Sequence, residues 1–194
     1  INAGSIGFLL NKYEPRKVAQ KINRAKITTI SPLQINTISK GGRKNSFLAI
    51  NELSLFRQSK QTTFLRLIIN KKILIKKLVG DGVLISTPAG STAYNLSVNG
   101  PILSLNSKKL AITPISPFRP RRWKGKIVPH KTLVSIYNID SKKRPVAAVA
   151  DNNEIRNIIS VKASINTKIK IRLMFNSSES LFKKINSEQK KKIN

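Results

Sequence analysis

The chain has 194 residues, 40% of them apolar and 23% charged, enough to bury about two-thirds of its unfolded surface without cross-links and well outside the composition of disordered chains. It has no cysteine, which excludes disulfide frameworks, zinc–thiolate sites, iron–sulfur clusters and cysteine nucleophiles. No apolar run approaches the roughly 18 residues of a membrane span, and the first ten residues carry no basic, cleavable leader pattern, so the sequence reads as a cytoplasmic protein without a membrane partner.

Thirty-seven basic residues against eight acidic ones give a formal charge of +29, which by itself advertises nucleic acid or an anionic surface. Ile (27), Lys (26) and Asn (18) together make 71 of the 194 residues, however, while Arg is only 11. These three residues have AT-rich codons, so compositional drift accounts for surface lysine without a partner selecting it. Only 11 residues are aromatic (7 Phe, 3 Tyr, 1 Trp) and the lysines are spread along the chain. That pattern argues against nucleic-acid recognition, and a basic, β-rich nucleic-acid-binding module stands as the alternative reading.

In chain order, residues 1–10 run as a strand end turning into a loop at Gly4 and Gly7. Glu14 to Ala25 place Val18, Ile22 and Ala25 at helical spacing behind Pro15, which predicts a short amphipathic helix. From about residue 26 to residue 174 the texture is short, alternating and β-branched. Thr62–Ile69 and Ile73–Val79, separated by Asn70-Lys71-Lys72, predict a hairpin. Gly82 to Thr87 predict a buried strand, and Ser91-Thr92 predict the N-cap of a helix over Ala93–Ser97. Further strands are predicted at 110–114, 132–139, 145–150, 155–160 and 167–174, with a turn at Asp151-Asn152-Asn153. The lysine-rich tail from Leu181 reads as a helix start that frays.

Eight acids in so basic a chain make each one informative. On local grounds Asp81, between Gly80 and Gly82, and Asp151 read as turn residues. The junction Thr87-Pro88-Ala89-Gly90-Ser91-Thr92-Ala93-Tyr94 is dense in glycine and hydroxyls. A strand-to-helix junction of this kind can direct free backbone N–H groups and a helix N-terminus at an electron-rich ligand, but it lacks the spacings of a P-loop or a dinucleotide turn. His130, the only histidine, has no acid or second imidazole near it in sequence and reads as a packing or surface residue. Arg119, Arg121 and Arg122 beside Trp123 suit either phosphate or a structural or subunit contact.

Asn2-x-Gly4-x-x-Gly7-Phe8-Leu9, then Asn51-Glu52, then Asp81-Gly82-x-x-x-Ser86-Thr87-Pro88-x-Gly90-Ser91-Thr92-Ala93-Tyr94-x-x-Ser97, then Gly100-Pro101 and Thr113-Pro114-Ile115 resemble the ATP-dependent NAD kinases in order and spacing. Pro117 to Trp123 and Val149-Ala150-Asp151 extend the likeness toward the alphaproteobacterial branch.

The resemblance implies transfer of the ATP γ-phosphoryl group to the 2′-hydroxyl of the adenosine ribose of NAD, giving NADP, with a divalent metal cation such as Mg2+ carried by ATP. It implies that Asn51 and Glu52 hydrogen-bond the dinucleotide, that Asp81 binds rather than acts as base, and that Thr92, Ala93, Tyr94, Asn95, Leu96 and Ser97 line the adenine and ribose pocket. Ala89 is expected to line it too, Phe8 matches the apolar wall under the first glycines, and Asn152 stands where relatives often have His or Gln. The catalytic aspartate of the family lies in a Gly-Gly-Asp-Gly motif that would precede Ile1. The chain is therefore expected to be the C-terminal three-quarters of such an enzyme, inactive alone and with no catalytic residue of its own.

The expected fold is α/β plus β-rich. Residues 1–35 would be a partial N-terminal α/β nucleotide domain, 36–160 an all-β two-sheet NAD-binding domain, and 161–194 a segment returning to the first domain. Partners implied are NAD, ATP and further copies of the chain, as a homodimer or homotetramer.

Overall fold

The computed structural model describes residues 9–11, 16 and 18–175. The expectations for residues 1–8, for Pro15 and for the tail from Leu181 lie outside the described residues. The chain divides into two compact units, residues 1–30 with 171–194, and residues 31–170.

In the first unit, helix α1 (Val18–Arg24) is followed by strand β1 (Lys26–Ile30), which pairs antiparallel with β14 (Ile171–Phe175), the last strand among the described residues. The register runs from Lys26 opposite Phe175 to Ile30 opposite Ile171. Val18 and Ile22 sit one turn apart on α1 as the spacing predicts, and both are exposed.

The second unit is built of two six-stranded sheets in which every pairing is antiparallel. The first sheet carries, in spatial order, β3 (Lys44–Ala49), β2 (Leu33–Ser39), β13 (Ile158–Ile165), β10 (Val134–Asn138), β5 (Thr63–Ile69) and β6 (Lys72–Gly80). The second carries β12 (Asn153–Ile155), β11 (Val146–Ala150), β4 (Glu52–Arg57), β7 (Gly82–Ser86), β8 (Lys109–Ile115) and β9 (Lys126–Pro129). This is the two-sheet β domain that the sequence pattern predicts.

Period-two alternation sends one face of each sheet into a common core. Leu33, Ile35, Leu65, Leu67 and Ile136 enter from the first sheet, and Leu53, Leu55, Ile85, Leu110 and Ile112 from the second, all fully buried. Each such side chain contributes about 1.5–3 kcal/mol by leaving water.

β7 departs from the alternation because all five of its residues are buried. Val83 and Ile85 enter the core. Thr113, which stands opposite Leu84 on the neighbouring strand, donates its hydroxyl to Asn95 of helix α2 (Tyr94–Ser97) at 2.7 Å. The segment after β7 therefore folds back over the outer face of the same sheet.

Three local predictions are corrected. The hairpin turn is two residues long rather than three: Asn70 and Lys71 both take positive φ (46° and 68°) and Lys72 already pairs with Ile69, the left-handed two-residue geometry that matches strand twist. The strand predicted at 155–160 is broken at Asn157 (φ 56°). β12 belongs to the second sheet and β13 to the first, so the chain changes sheets there. The strand predicted at 167–174 is confined to β14. Asn166 accepts the Lys168 N–H through its side chain at 3.1 Å, a local turn that competes with ladder pairing.

Candidate functional site

Glu52 stands opposite Ser86 in the β4–β7 pair, so the start of β4 and the end of β7 share one end of the sheet. The chain leaving β7 turns back onto that end. Thr87 donates its N–H to the Asn51 carbonyl at 2.9 Å and its hydroxyl to the Ile50 carbonyl at 2.7 Å. A Cβ at Gly90 would lie 2.2 Å from the Asn51 carbonyl oxygen, so only glycine permits the approach. Asn51-Glu52 and the Gly90-Ser91-Thr92 turn, 40 residues apart in sequence, thus meet at one place.

Glu52 is half-buried and its Oε2 is buried without a hydrogen-bond partner. Burial, then the neighbouring Asp151 charge, push its carboxyl up to about 7. Tyr94, whose side chain remains exposed, has its phenol raised by burial, then by Asp81, then by Glu52. The tyrosine therefore lies in the field of both carboxylates. These sit at opposite ends of β4 and β7, because Asp81 precedes Gly82, which pairs with Phe56.

Asp81 is more than a turn residue. It joins β6 of one sheet to β7 of the other, and its Oδ1 accepts the Nε–H of Arg57 at 2.6 Å. Neither flanking glycine takes a positive φ. Close backbone approach demands them instead: a Cβ on Gly82 would lie 1.9 Å from the Leu55 oxygen, and one on Gly80 2.9 Å from the Ser116 oxygen. Arg57 had no local signal in the sequence, since only the β4–β7 register brings it beside Asp81. Asp151, the other predicted turn residue, does open the β11–β12 turn, at φ 49°.

The junction after β7 is also corrected. Ser91 and Thr92 lie in a 3-10 turn (Gly90–Thr92), and α2 carries no side-chain cap. The Gly90 N–H goes to Thr87 Oγ1, the Ser91 N–H to Pro88 O and the Ala93 N–H to Gly90 O. These donors are spent inside the loop, and a four-residue helix has little dipole to offer.

Ser91 is a brace. Its Oγ accepts the Leu103 N–H at 3.0 Å and donates to Pro88 O at 2.8 Å. Asn95, expected in the pocket lining, points inward and is fully buried. Its Nδ2 donates to Pro101 O and Ser91 O, and its Oδ1 accepts from Thr113. Gly100 is required above it, since a Cβ would strike the Asn95 amide. Asn95→Ala is expected to cost about 2–4 kcal/mol, because the buried Ser91 O and Thr113 Oγ1 and the half-buried Pro101 O lose their partner. Urea unfolding checks this, and a loss under 1 kcal/mol contradicts it.

Of the other predicted residues, Ala89 and Thr92 are buried, Ala93 and Leu96 half-buried, and Tyr94, Ser97 and Asn152 exposed. Phe8 lies outside the described residues. His130 is held by its backbone N–H on Lys108 O. Trp123 packs against the core, while Arg119 and Arg121 flank the exposed Phe118 ring. Among the described residues no three His, Asp or Glu side chains gather as a metal cage, and no helix is long and apolar enough to cross a membrane.

Comparison with known proteins bears on the same segment. Residues 50–165 match the model of the ATP-NAD kinase C-terminal domain. The chain is 43% identical over 189 residues to NAD kinases of Rhizorhabdus wittichii and Zymomonas mobilis, a match covering 97% of this chain and 74% and 73% of those proteins. The fold matches yeast NADH kinase, solved in complex with NADH, with a TM-score of 0.84 and 25% identity over 98% of this chain. It matches an NAD kinase of Archaeoglobus fulgidus, solved with ATP, with a TM-score of 0.64 and 18% identity, a likeness of fold. The chain spans 58% and 60% of the length of these two solved chains. With Asn51-Glu52, Asp81 and the 87–97 segment all inside the matched stretch, the chain belongs to the NAD kinase family.

Proposed function

We propose that this chain supplies the dinucleotide-binding β domain of an enzyme that moves the γ-phosphoryl group of ATP to the 2′-hydroxyl of the adenosine ribose of NAD, giving ADP and NADP. The observation that carries this reading is the meeting of Asn51-Glu52 with the Gly90-Ser91-Thr92-Ala93-Tyr94 segment at one end of the β4–β7 pair. Asn51 and Glu52 then hydrogen-bond the dinucleotide, with the unpartnered Glu52 Oε2 as an acceptor for a ribose or amide donor. Thr92, Ala93, Tyr94, Leu96 and Ser97 line the adenine and ribose pocket, with Ala89 beneath and Asn152 at the rim. Asn95 acts behind them, by holding α2 on β8.

Asp81, held by Arg57, serves binding and not proton abstraction. The reaction needs positioning and charge neutralisation more than covalent chemistry. The divalent cation, Mg2+ in this reading, arrives on the ATP phosphates as part of the substrate. The protein is read as cytoplasmic and as a homodimer or homotetramer. Exposed Ile38, Leu48 and Tyr137 on the first sheet support the oligomer.

The test joins this chain to the residues that precede the match in the Rhizorhabdus wittichii NAD kinase and measures NADP formed from NAD and MgATP. NADP is expected from the joined protein, and Tyr94→Ala should raise its KM for NAD roughly tenfold through lost stacking on the base. NAD affinity should change little with salt. Absence of NADP, together with oligonucleotide binding that falls steeply with salt, would return the function to the basic surface.

A further inference from the structure

We propose that Asp151 is the positioning residue of the Asn51–Glu52 pair, holding its backbone so that the two side chains meet the dinucleotide in one geometry. The proposal rests on the reading that Asn51 and Glu52 contact NAD.

Asp151 opens the β11–β12 turn and directs both carboxylate oxygens at the start of β4. Oδ2 accepts the Ile50 N–H at 2.7 Å, and Oδ1 accepts those of Asn51 and Glu52 at 3.0 and 3.2 Å. Three consecutive N–H groups aimed at one anion form a nest, filled here by a side chain a hundred residues further along. Bonds to an ionised acceptor are the stronger kind.

The carbonyls of the same three residues are held as well. Thr87 Oγ1 and Thr87 N–H take those of Ile50 and Asn51, and the Asp151 N–H donates to that of Glu52 at 3.2 Å. Residues 50–52 are therefore fixed on both sides of every peptide plane, by bonds that use neither the Asn51 nor the Glu52 side chain.

Residue type bears this out. Asp151 sits at φ 49°, where glycine or asparagine would be as comfortable. Glycine would leave the three donors empty, and asparagine would offer one acceptor oxygen where two are used. The charge acts on Glu52 too: after burial, Asp151 is the cause that raises its carboxyl, and Glu52 in turn helps to raise the Tyr94 phenol.

The test uses the 194-residue chain, calorimetry with NAD, amide exchange, and a carbon-13 titration of the Glu52 carboxyl. In Asp151→Asn, the NAD Kd should rise roughly tenfold, the amides of residues 50–52 should exchange faster, and Glu52 should titrate lower because a neighbouring negative charge has gone. Asp151→Glu keeps the charge but displaces the oxygens by a methylene, so it should weaken NAD binding while Glu52 stays high. Unchanged NAD affinity in a folded Asp151→Asn overturns the proposal. If the unaltered chain does not bind NAD, the reading of Asn51 and Glu52 has failed, and amide exchange with the Glu52 titration then judges the clamp, unchanged values overturning it. Should Asp151→Asn not fold, Asp151→Glu supplies the NAD-affinity and amide-exchange comparisons, unchanged values in both overturning the proposal.

Discussion

Gly82→Ala is expected to remove the folded state of the β domain or cost it at least about 4 kcal/mol, among the largest effects a single methyl group can have. The added Cβ would stand 1.9 Å from the Leu55 oxygen and 3.0 Å from its carbonyl carbon, so atoms must move. Neither direction is open. β7 is the fourth strand of six, hydrogen-bonded to β4 on one side and β8 on the other, and every one of its residues is buried. Gly41 provides the control: a Cβ there meets nothing within 4 Å, and its cost is the positive φ of 85° alone, about 1 kcal/mol. Far-UV circular dichroism and urea unfolding decide the matter. A Gly82→Ala protein that melts with its parent shows that the sheet can yield at Leu55.

Glu52→Gln should abolish the pH dependence that Glu52 imposes on stability and weaken NAD binding by tenfold or more. The native carboxyl is raised from 4.5 to about 7, first by burial and then by Asp151. Between these values the unfolded chain has released the proton and the native chain still holds it, so stability falls as pH rises. The contribution is fully present below about 4.5 and is lost as pH passes through about 7. Glutamine, neutral throughout, should be no better than Glu52 at pH 4 and more stable than it at pH 8, as read by urea midpoints of both proteins at both pH values. NAD affinity should fall in the variant because one acceptor becomes a donor facing the ligand. Parallel midpoints at pH 4 and pH 8 would show that Glu52 is solvated and that its buried oxygen is not the acceptor proposed.

Much of the architecture was legible because it depends on local rules. The alternating, β-branched texture from about residue 26, the Thr63–Ile69 strand of the hairpin and the apolar run of β7 each follow from side-chain type and period. The family likeness was legible in the spacing from Asn51 to Tyr94. Breaks were less so: nothing local told that Asn157 sends the chain from one sheet to the other, since that choice depends on which neighbours are already paired.

What the sequence determined by itself was the β-rich class, the family, and the residue types available to the site. The tertiary structure alone decided what each of them does. Gly80 and Gly82 look like turn residues beside Asp81, yet they are glycines because the Ser116 carbonyl just past β8 and the Leu55 carbonyl on the paired strand β4 press on them. Asn95 looks like a ligand contact and is a buried brace. Asp151 looks like a turn residue, and its carboxylate holds three N–H groups a hundred positions away. Backbone donors and steric contacts between remote strands carry no residue-type signature, so only the antiparallel register could reveal them.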